Sequence, residues 1–124
     1  MKALTICQPY AELIARGEKV IENRSWPSAY RGPLAIHAGK SRDWLDEDDD
    51  PSAYVFGAVV ATARLVDCVR VENLPAHLID NEHANGPWCW LLTDVSRLPN
   101  PVPARGAQGL WDVELLAAPR QEPV

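Results

Sequence analysis

The stretch YVFGAVVATARLVDCV, Tyr54 to Val69, carries the longest strand signal in the chain. Apolar and β-branched residues occupy both of its alternating faces, so each face must be covered by other parts of the protein. Gly57 is placed to form a bulge. A strand this long, buried on two sides, is expected to curl across a barrel rather than lie in a flat sheet.

The flanking segments supply the remaining elements. ALTICQ (Ala3–Gln8) reads as a short strand and PYAELIARG (Pro9–Gly17) as a helix of about two turns, with Pro9 at the first helical position and Gly17 as its C-terminal cap. Glu12 and Arg16 are spaced i,i+4, and Tyr10, Leu13 and Ile14 form the expected buried stripe. KVIENR (Lys19–Arg24) and GPLAIHA (Gly32–Ala38) follow as strands, the second with Leu34, Ile36 and Ala38 on one face and His37 on the other. Ser41 is a candidate N-cap for a helical turn in SRDWL, ahead of the acidic run DEDDDP (Asp46–Pro51). Val71–Gly86 reads as loop plus a short helix; PWCWLLTDV (Pro87–Val95) and GLWDVELL (Gly109–Leu116) read as strands around a proline-rich turn, Arg97–Gln108. Five to six short strands with few small helices favour a mainly β, α+β domain built as a small mixed or antiparallel barrel. One domain is expected over 1–118, with a tail at 119–124.

Composition narrows the function. The net charge of -5 hides an asymmetry: residues 1–42 hold seven Lys/Arg and three Asp/Glu, and the rest of the chain is strongly acidic. A protein that tracks long duplex DNA needs a continuous basic stripe, so that class is disfavoured, while a small anionic or nucleotide-like ligand near the N-terminal third fits. No apolar run is long enough to span a membrane and no secretory leader is apparent, so a soluble, cytoplasmic protein, monomeric or weakly dimeric, is expected. Cys7, Cys68 and Cys89 are odd in number and lie in apolar segments, which reads as three buried reduced thiols. His77, His83 and Cys89 match no familiar metal-ligand spacing, and neither a metal nor a cofactor is expected. The acidic run reads as a solvated loop.

The densest chemistry lies in RGEKVIENRSW, Arg16 to Trp26. Strand alternation puts Val20, Glu22 and Arg24 on one face and Ile21 on the other, with Glu22 and Arg24 about 7 Å apart along the backbone. An exposed ion-pair ladder, contributing about 0–1 kcal/mol, is one reading, and a shared polar ligand is the other. The direction of Lys19 is undetermined by spacing. Gln8, Ser25, Trp26 and Tyr30 would crowd the same end if helix and strand pack back to back. Arg31, Lys40 and Arg42 either guide a phosphate backbone to the cleft mouth or are solvated charge.

GEKVIENR fits the pattern G-x-K-x-x-E-x-R through Gly17, Lys19, Glu22 and Arg24. In this, and in LTICQPYAELIARG, LAIHAGK, FGAVVATARLVDC, PWCWLLTDV and GAQGLWDVEL, the chain resembles ASCH domains, relatives of the PUA superfamily, over about Met1 to Leu116. The resemblance implies a small PUA-like β-barrel flanked by one to three short helices, with a cleft where the motif Lys, Glu and Arg gather. It implies RNA or related nucleic acids as partners. Certain small bacterial members remove the acetyl group from N4-acetylcytidine with the motif Lys, a Thr and a Glu. Lys19 matches that lysine, whereas the position of their Thr holds Glu22. Their acidic residue falls between the long strand and the next, where Glu72 and Glu82 are candidates and Glu82 is preferred.

The expected ligand site therefore comprises Gln8, Lys19, Glu22, Arg24, Ser25, Trp26, Tyr30, His37 and Lys40. Its primary expected role is to recognise RNA or a modified nucleoside or nucleotide, with Trp26 or Tyr30 as a stacking face. As an enzyme it would use Lys19 as base or nucleophile, Glu22 to orient water or substrate, and Arg24 for the oxyanion, with Glu82 as the further acid. A protein-interaction module is a third reading, disfavoured because a charged cleft is a poor apolar anchor. Trp88, Trp90 and Trp111 are expected in the core.

Overall fold

The structure, a computed structural model, describes residues 1–115. In chain order it contains β1 (Lys2–Ile6), α1 (Tyr10–Ala15), β2 (Ile21–Arg24), β3 (Gly32–Ala38), β4 (Ala58–Arg70), β5 (Trp88–Pro103) and β6 (Leu110–Asp112). Short 3-10 turns lie at Pro51–Ala53, Val71–Asn73 and Ala76–Leu78. The expected tail at 119–124 lies outside the described residues.

All six strands form one mixed sheet in the order β2-β5-β4-β3-β1-β6. Its β1–β3 pair is parallel and the other pairs are antiparallel. The sheet curls into a half-barrel, mainly β with few short helices, in agreement with the sequence expectation. Bulges give the curl a local cause, because each extra residue bends its strand and increases the twist. The β4–β5 pairing is interrupted between Val59 and Ala61, between Thr62 and Arg64, and between Leu65 and Asp67. Asp94, a non-glycine residue at φ 52°, lies opposite the second interruption.

Period-two alternation divides the strands between two cores. Leu4 and Ile6 of β1 and Leu34, Ile36 and Ala38 of β3 face the main cluster with Leu65 and Trp90, and α1 covers it with Ala11, Ile14 and Ala15. The intervening Ala3 and Ala35 face a second cluster that also holds Val59 and Trp111. A third cluster of Ile21, Leu74, Cys89 and Leu91 anchors β2 and the 71–84 segment. Trp90 is fully buried, while Trp88 and Trp111 pack partly buried against these clusters.

Several boundaries differ from expectation. β4 begins at Ala58, and Gly57, at φ +70°, turns the chain into it rather than forming a bulge. The expected proline-rich turn is the second half of β5. Val59 pairs with Val102 and Ala61 with Arg97, so residues 98–101 pass opposite Val60 alone. Pro99 and Pro101 thus occupy a wide bulge, where a missing N–H interrupts no ladder bond. Pro9 is the N-cap of α1 rather than its first residue, and the buried stripe omits Tyr10 and Leu13. No helix starts at Ser41; its Oγ accepts from the Asp43 N–H at 3.1 Å and closes a single turn. In the acidic run, Asp49 Oδ2 accepts from the Asp46 N–H, and Asp50 caps the Pro51–Ala53 turn, so part of that loop is built rather than merely solvated.

Candidate functional site

The turn after α1 creates the site. Gly17, at φ +80°, takes the left-handed conformation that ends the helix, and the N–H groups of Glu18 and Lys19 both donate to the Leu13 carbonyl at 2.9 and 3.1 Å. This turn places Lys19 just before β2 and directs its side chain inward. Its ammonium donates to the Ile21 carbonyl and lies 3.4 Å from Glu22 Oε1 and 5.6 Å from the centre of the Tyr10 ring.

Glu22 and Arg24 project from the same face of β2, and Glu22 Oε2 lies 3.0 Å from Arg24 Nη2. That nitrogen also donates to the Thr5 carbonyl at 2.7 Å, tying the edge strand β2 to the end of β1. Lys19 and Glu22 are buried, at 3% and 8% exposure. The result is a cation–carboxylate–cation row, not an exposed ladder. Arg24 Nε is buried and has no hydrogen-bond partner among the described residues. An orphaned donor costs free energy unless a ligand or water fills the place opposite it.

Burial lowers the Lys19 pKa, chiefly because an ammonium is poorly solvated there; Glu22 opposes this fall and Arg24 adds to it. The Cys7 thiol is raised by burial, with Arg24 pulling the other way.

These groups open into a cleft of about 460 Å³, within the ordinary range for small-molecule sites. Aromatic side chains line it: Tyr10 from α1, Trp26 after β2, and Trp44 from the loop following β3. Trp26 packs edge-on against Trp90 with ring centres 4.9 Å apart, and the Trp90 indole N–H donates to the Trp26 carbonyl at 3.1 Å. Trp44 is 61% exposed and meets Tyr10 edge-on at 6.2 Å. Across the cleft, His83 and Asn85 are held by Asn23. Its Nδ2 donates to the His83 carbonyl at 2.8 Å, and its Oδ1 accepts from the N–H groups of Asn85 and Gly86 at 3.0 and 2.7 Å.

Of the sequence-derived candidates, Lys19, Glu22, Arg24, Ser25 and Trp26 line this one cleft. Gln8, Tyr30, His37, Lys40 and Glu82 do not. Gln8 is fully buried; its Nε2 donates to the Val55 carbonyl at 2.8 Å and its Oε1 accepts from the Glu12 N–H at 2.9 Å, anchoring the start of α1. The Tyr30 hydroxyl donates to the Pro33 carbonyl at 2.5 Å. His37 is buried between Thr5 and Ala104, Lys40 is exposed, with its stem against Gly57, and the Glu82 side chain is 85% exposed. Of the proposed phosphate guides, Arg31 is paired with Asp67 at 3.3 Å and Arg42 lies over the Phe56 ring at 5.1 Å. Cys7, expected in the core, is half-buried and lines the cleft, while Cys68 and Cys89 are buried; all three thiols are free.

The model of the ASCH domain matches residues 4–100. The chain belongs to the ASCH domain family. ASCH domains have a PUA-like fold, and the family is associated with RNA binding. Human and mouse Activating signal cointegrator 1 are each 23% identical to this ASCH domain over 127 residues, 90% of this chain. The chain spans 22% of the length of those curated relatives. The crystal structure of ASCH from Zymomonas mobilis aligns with a TM-score of 0.51 at 17% identity, covering 82% of this chain and 72% of that one. A tyrosine-to-phenylalanine variant of the same protein gives 0.51 at 18% identity, over 82% and 74%. At these identities the likeness speaks to the fold alone. No helix among the described residues of this ASCH domain is long and apolar enough to cross a membrane.

The cleft also holds Thr5, Cys7, Tyr10, Asn23, Trp44, His83 and Asn85, none of which sequence reasoning assigned to it. They arrive from four separate segments, and only the tertiary fold brings them together. Asn23 carried the one local signal: it is a polar side chain on the inward phase of β2, where Ile21 is core.

Proposed function

We propose that this ASCH domain binds an unpaired base of RNA, or a modified nucleoside or nucleotide, in the cleft between α1 and β2. The observation that carries the reading is the combination of aromatic walls with a row of Lys19, Glu22 and Arg24 whose Arg24 side chain stays partly exposed to the cleft. Glu22 accepts from an exocyclic amine or a ribose hydroxyl, and Arg24 donates to a base acceptor atom or a phosphate. Trp44, exposed beside Tyr10, offers an indole face on which one base stacks, an interaction worth about 1–3 kcal/mol. The surrounding positive excess in residues 1–42 favours an anionic strand.

Titration of labelled single-stranded RNA across a salt series, followed by tryptophan fluorescence, tests this. Trp44→Ala is expected to weaken binding by about 5- to 150-fold, the equivalent of one lost stacking contact. An affinity equal to that of an acidic control protein, or no effect of Trp44→Ala and Arg24→Ala, would remove the proposal.

A second reading draws on the lowered pKa of buried Lys19. A lysine whose ammonium form is disfavoured by burial gives up its proton more readily and can then act as base or nucleophile. In an N4-acetylcytidine-type nucleoside, water activated by Lys19 would add to the acetyl carbonyl while Arg24 holds the developing oxyanion. Breaking the C–N bond with protonation of the amine gives acetate and cytidine. Incubation with N4-acetylcytidine decides it: turnover abolished by Lys19→Ala supports the reading, and no turnover above buffer at high protein concentration excludes it.

A further inference from the structure

A second cavity of about 410 Å³ adjoins the cleft and is lined by Thr5, Arg24, Trp26, Ala107, Gln108 and Gly109. Three of these, Thr5, Arg24 and Trp26, also line the first cavity. The two therefore share a wall, to which Arg24 contributes on both sides. Among the described residues, Arg24 is the only charged side chain lining the second cavity.

The shared wall at Thr5 and the start of the loop leading to the far side are built rather than loose. The Trp111 indole N–H donates to Thr5 Oγ1 at 3.1 Å. Thr5 Oγ1 lies 3.1 Å from His37 Nδ1, and His37 Nε2 donates to the Ala104 carbonyl at 2.7 Å. That carbonyl has no proton to give, so Nε2 carries the hydrogen, and in the neutral ring Nδ1 accepts from the Thr5 hydroxyl. The following loop is pressed onto the same pair: a Cβ at Gly106 would fall 2.7 Å from Thr5 Oγ1 and 2.8 Å from His37 Cε1. The Ala104 N–H adds a bond to the Gly57 carbonyl at 3.1 Å.

We propose that the second cavity is the subsite for the nucleotide adjacent to the one in the first, so that the ligand is a single strand of at least two linked nucleotides and Arg24 faces the phosphate between them. This rests on the nucleotide-binding reading of the first cleft. A single anionic link flanked by two uncharged units suits a pair of compartments with one cation in the wall they share. Gln108 offers both a donor and an acceptor to a base edge, and Trp26 presents indole surface to both compartments.

The test compares 5′-mononucleotides with the matching dinucleoside monophosphates ApA, CpC, GpG and UpU by calorimetry on the full chain. For the preferred base, the dinucleotide is expected to bind about 10-fold tighter than the mononucleotide. Ala107→Trp, which fills the second cavity from an exposed position, collapses that ratio toward one; Gln108→Glu, which adds a charge facing the strand, lowers it several-fold. Equal affinities for the two probes, or a ratio unmoved by both variants, would sink the second subsite while mononucleotide binding sensitive to Trp44→Ala leaves the first cleft standing. If neither probe class nor longer RNA binds, the first reading fails and takes this one with it.

Discussion

Replacing Glu22 by Gln would expose how the buried charge row is balanced. Glu22 lies 3.4 Å from Lys19 Nζ and 3.0 Å from Arg24 Nη2. At an effective dielectric of about 20, each contact corresponds to roughly 5 kcal/mol of attraction before desolvation is subtracted. Removing one partner of a buried pair costs about 3–5 kcal/mol net, because it strands the other charge. Arg24 is 22% exposed and retains some hydration, so the lower end of that range, about 3 kcal/mol near pH 6.5, is the expected loss. In a domain of this size that lowers Tm by about 10 °C.

The penalty should depend on pH. The folded Lys19 pKa is already below the ordinary 10.5 through burial, and Glu22 is the group that holds it up. Without Glu22 it falls further. Between the folded value and 10.5 the unfolded chain binds more protons than the folded one, so stability rises with pH there by up to about 1.4 kcal/mol per unit. The variant enters that window at lower pH than the parent. Urea denaturation at a series of pH values rising toward 10.5 should therefore show the deficit shrinking as pH rises, and adding Lys19→Met should abolish the pH dependence of the deficit. A deficit below about 0.5 kcal/mol, or one constant across that range, would refute the balance described here.

Two glycines separate conformational cost from crowding. Gly17→Ala meets nothing within 4 Å and should cost about 1 kcal/mol for its φ of +80°, whereas Gly86→Ala places a Cβ 2.7 Å from Val71 Cβ and should cost about 2–3 kcal/mol more; equal urea midpoints would contradict this. Arg97→Ala removes a two-pronged contact to Glu12, at 3.1 and 2.7 Å, from a half-exposed arginine and should cost up to about 1 kcal/mol. Hydrogen bonds from Arg97 are the main reason the Glu12 pKa is lowered, so this contribution is complete above the ordinary 4.5 and fades as pH falls through the folded value; a difference that persists in strong acid would argue against it. An aromatic disulfide reagent should label Cys7 in the folded protein, more slowly than free cysteine because burial raises its pKa, and reach Cys68 and Cys89 only on unfolding. Labelling of all three at one rate would contradict their placement.

The features visible in the sequence are those governed by local periodicity. Alternation in KVIENR predicts that Glu22 and Arg24 share a face, and they form an ion pair at 3.0 Å. Alternation in GPLAIHA likewise separates Leu34, Ile36 and Ala38 from His37. The direction of Lys19 was open because it precedes β2 and is set by the left-handed Gly17 turn, not by strand phase. The second half of β5 reads as a turn because its prolines break ladders, and only the register against β4 reveals the bulge that tolerates them. Trp44, His83 and Cys7 reach the cleft through long-range packing, which leaves no periodic trace. His37 is polar on a strand face, as its phase predicts, yet a sixth strand and the loop before it cover that face.

Asn23 shows when the cost of ordering one cleft wall is incurred. Both ends of its amide are committed to the backbone of residues 83–86, so that loop loses its freedom when the chain folds. A ligand entering the cleft meets a wall already in place and has little conformational entropy left to quench on that side. Loosening the amide, as in Asn23→Ala, would transfer that entropic cost to the binding step, weakening association through a slower approach to the ordered complex even though every other side chain lining the cleft is retained.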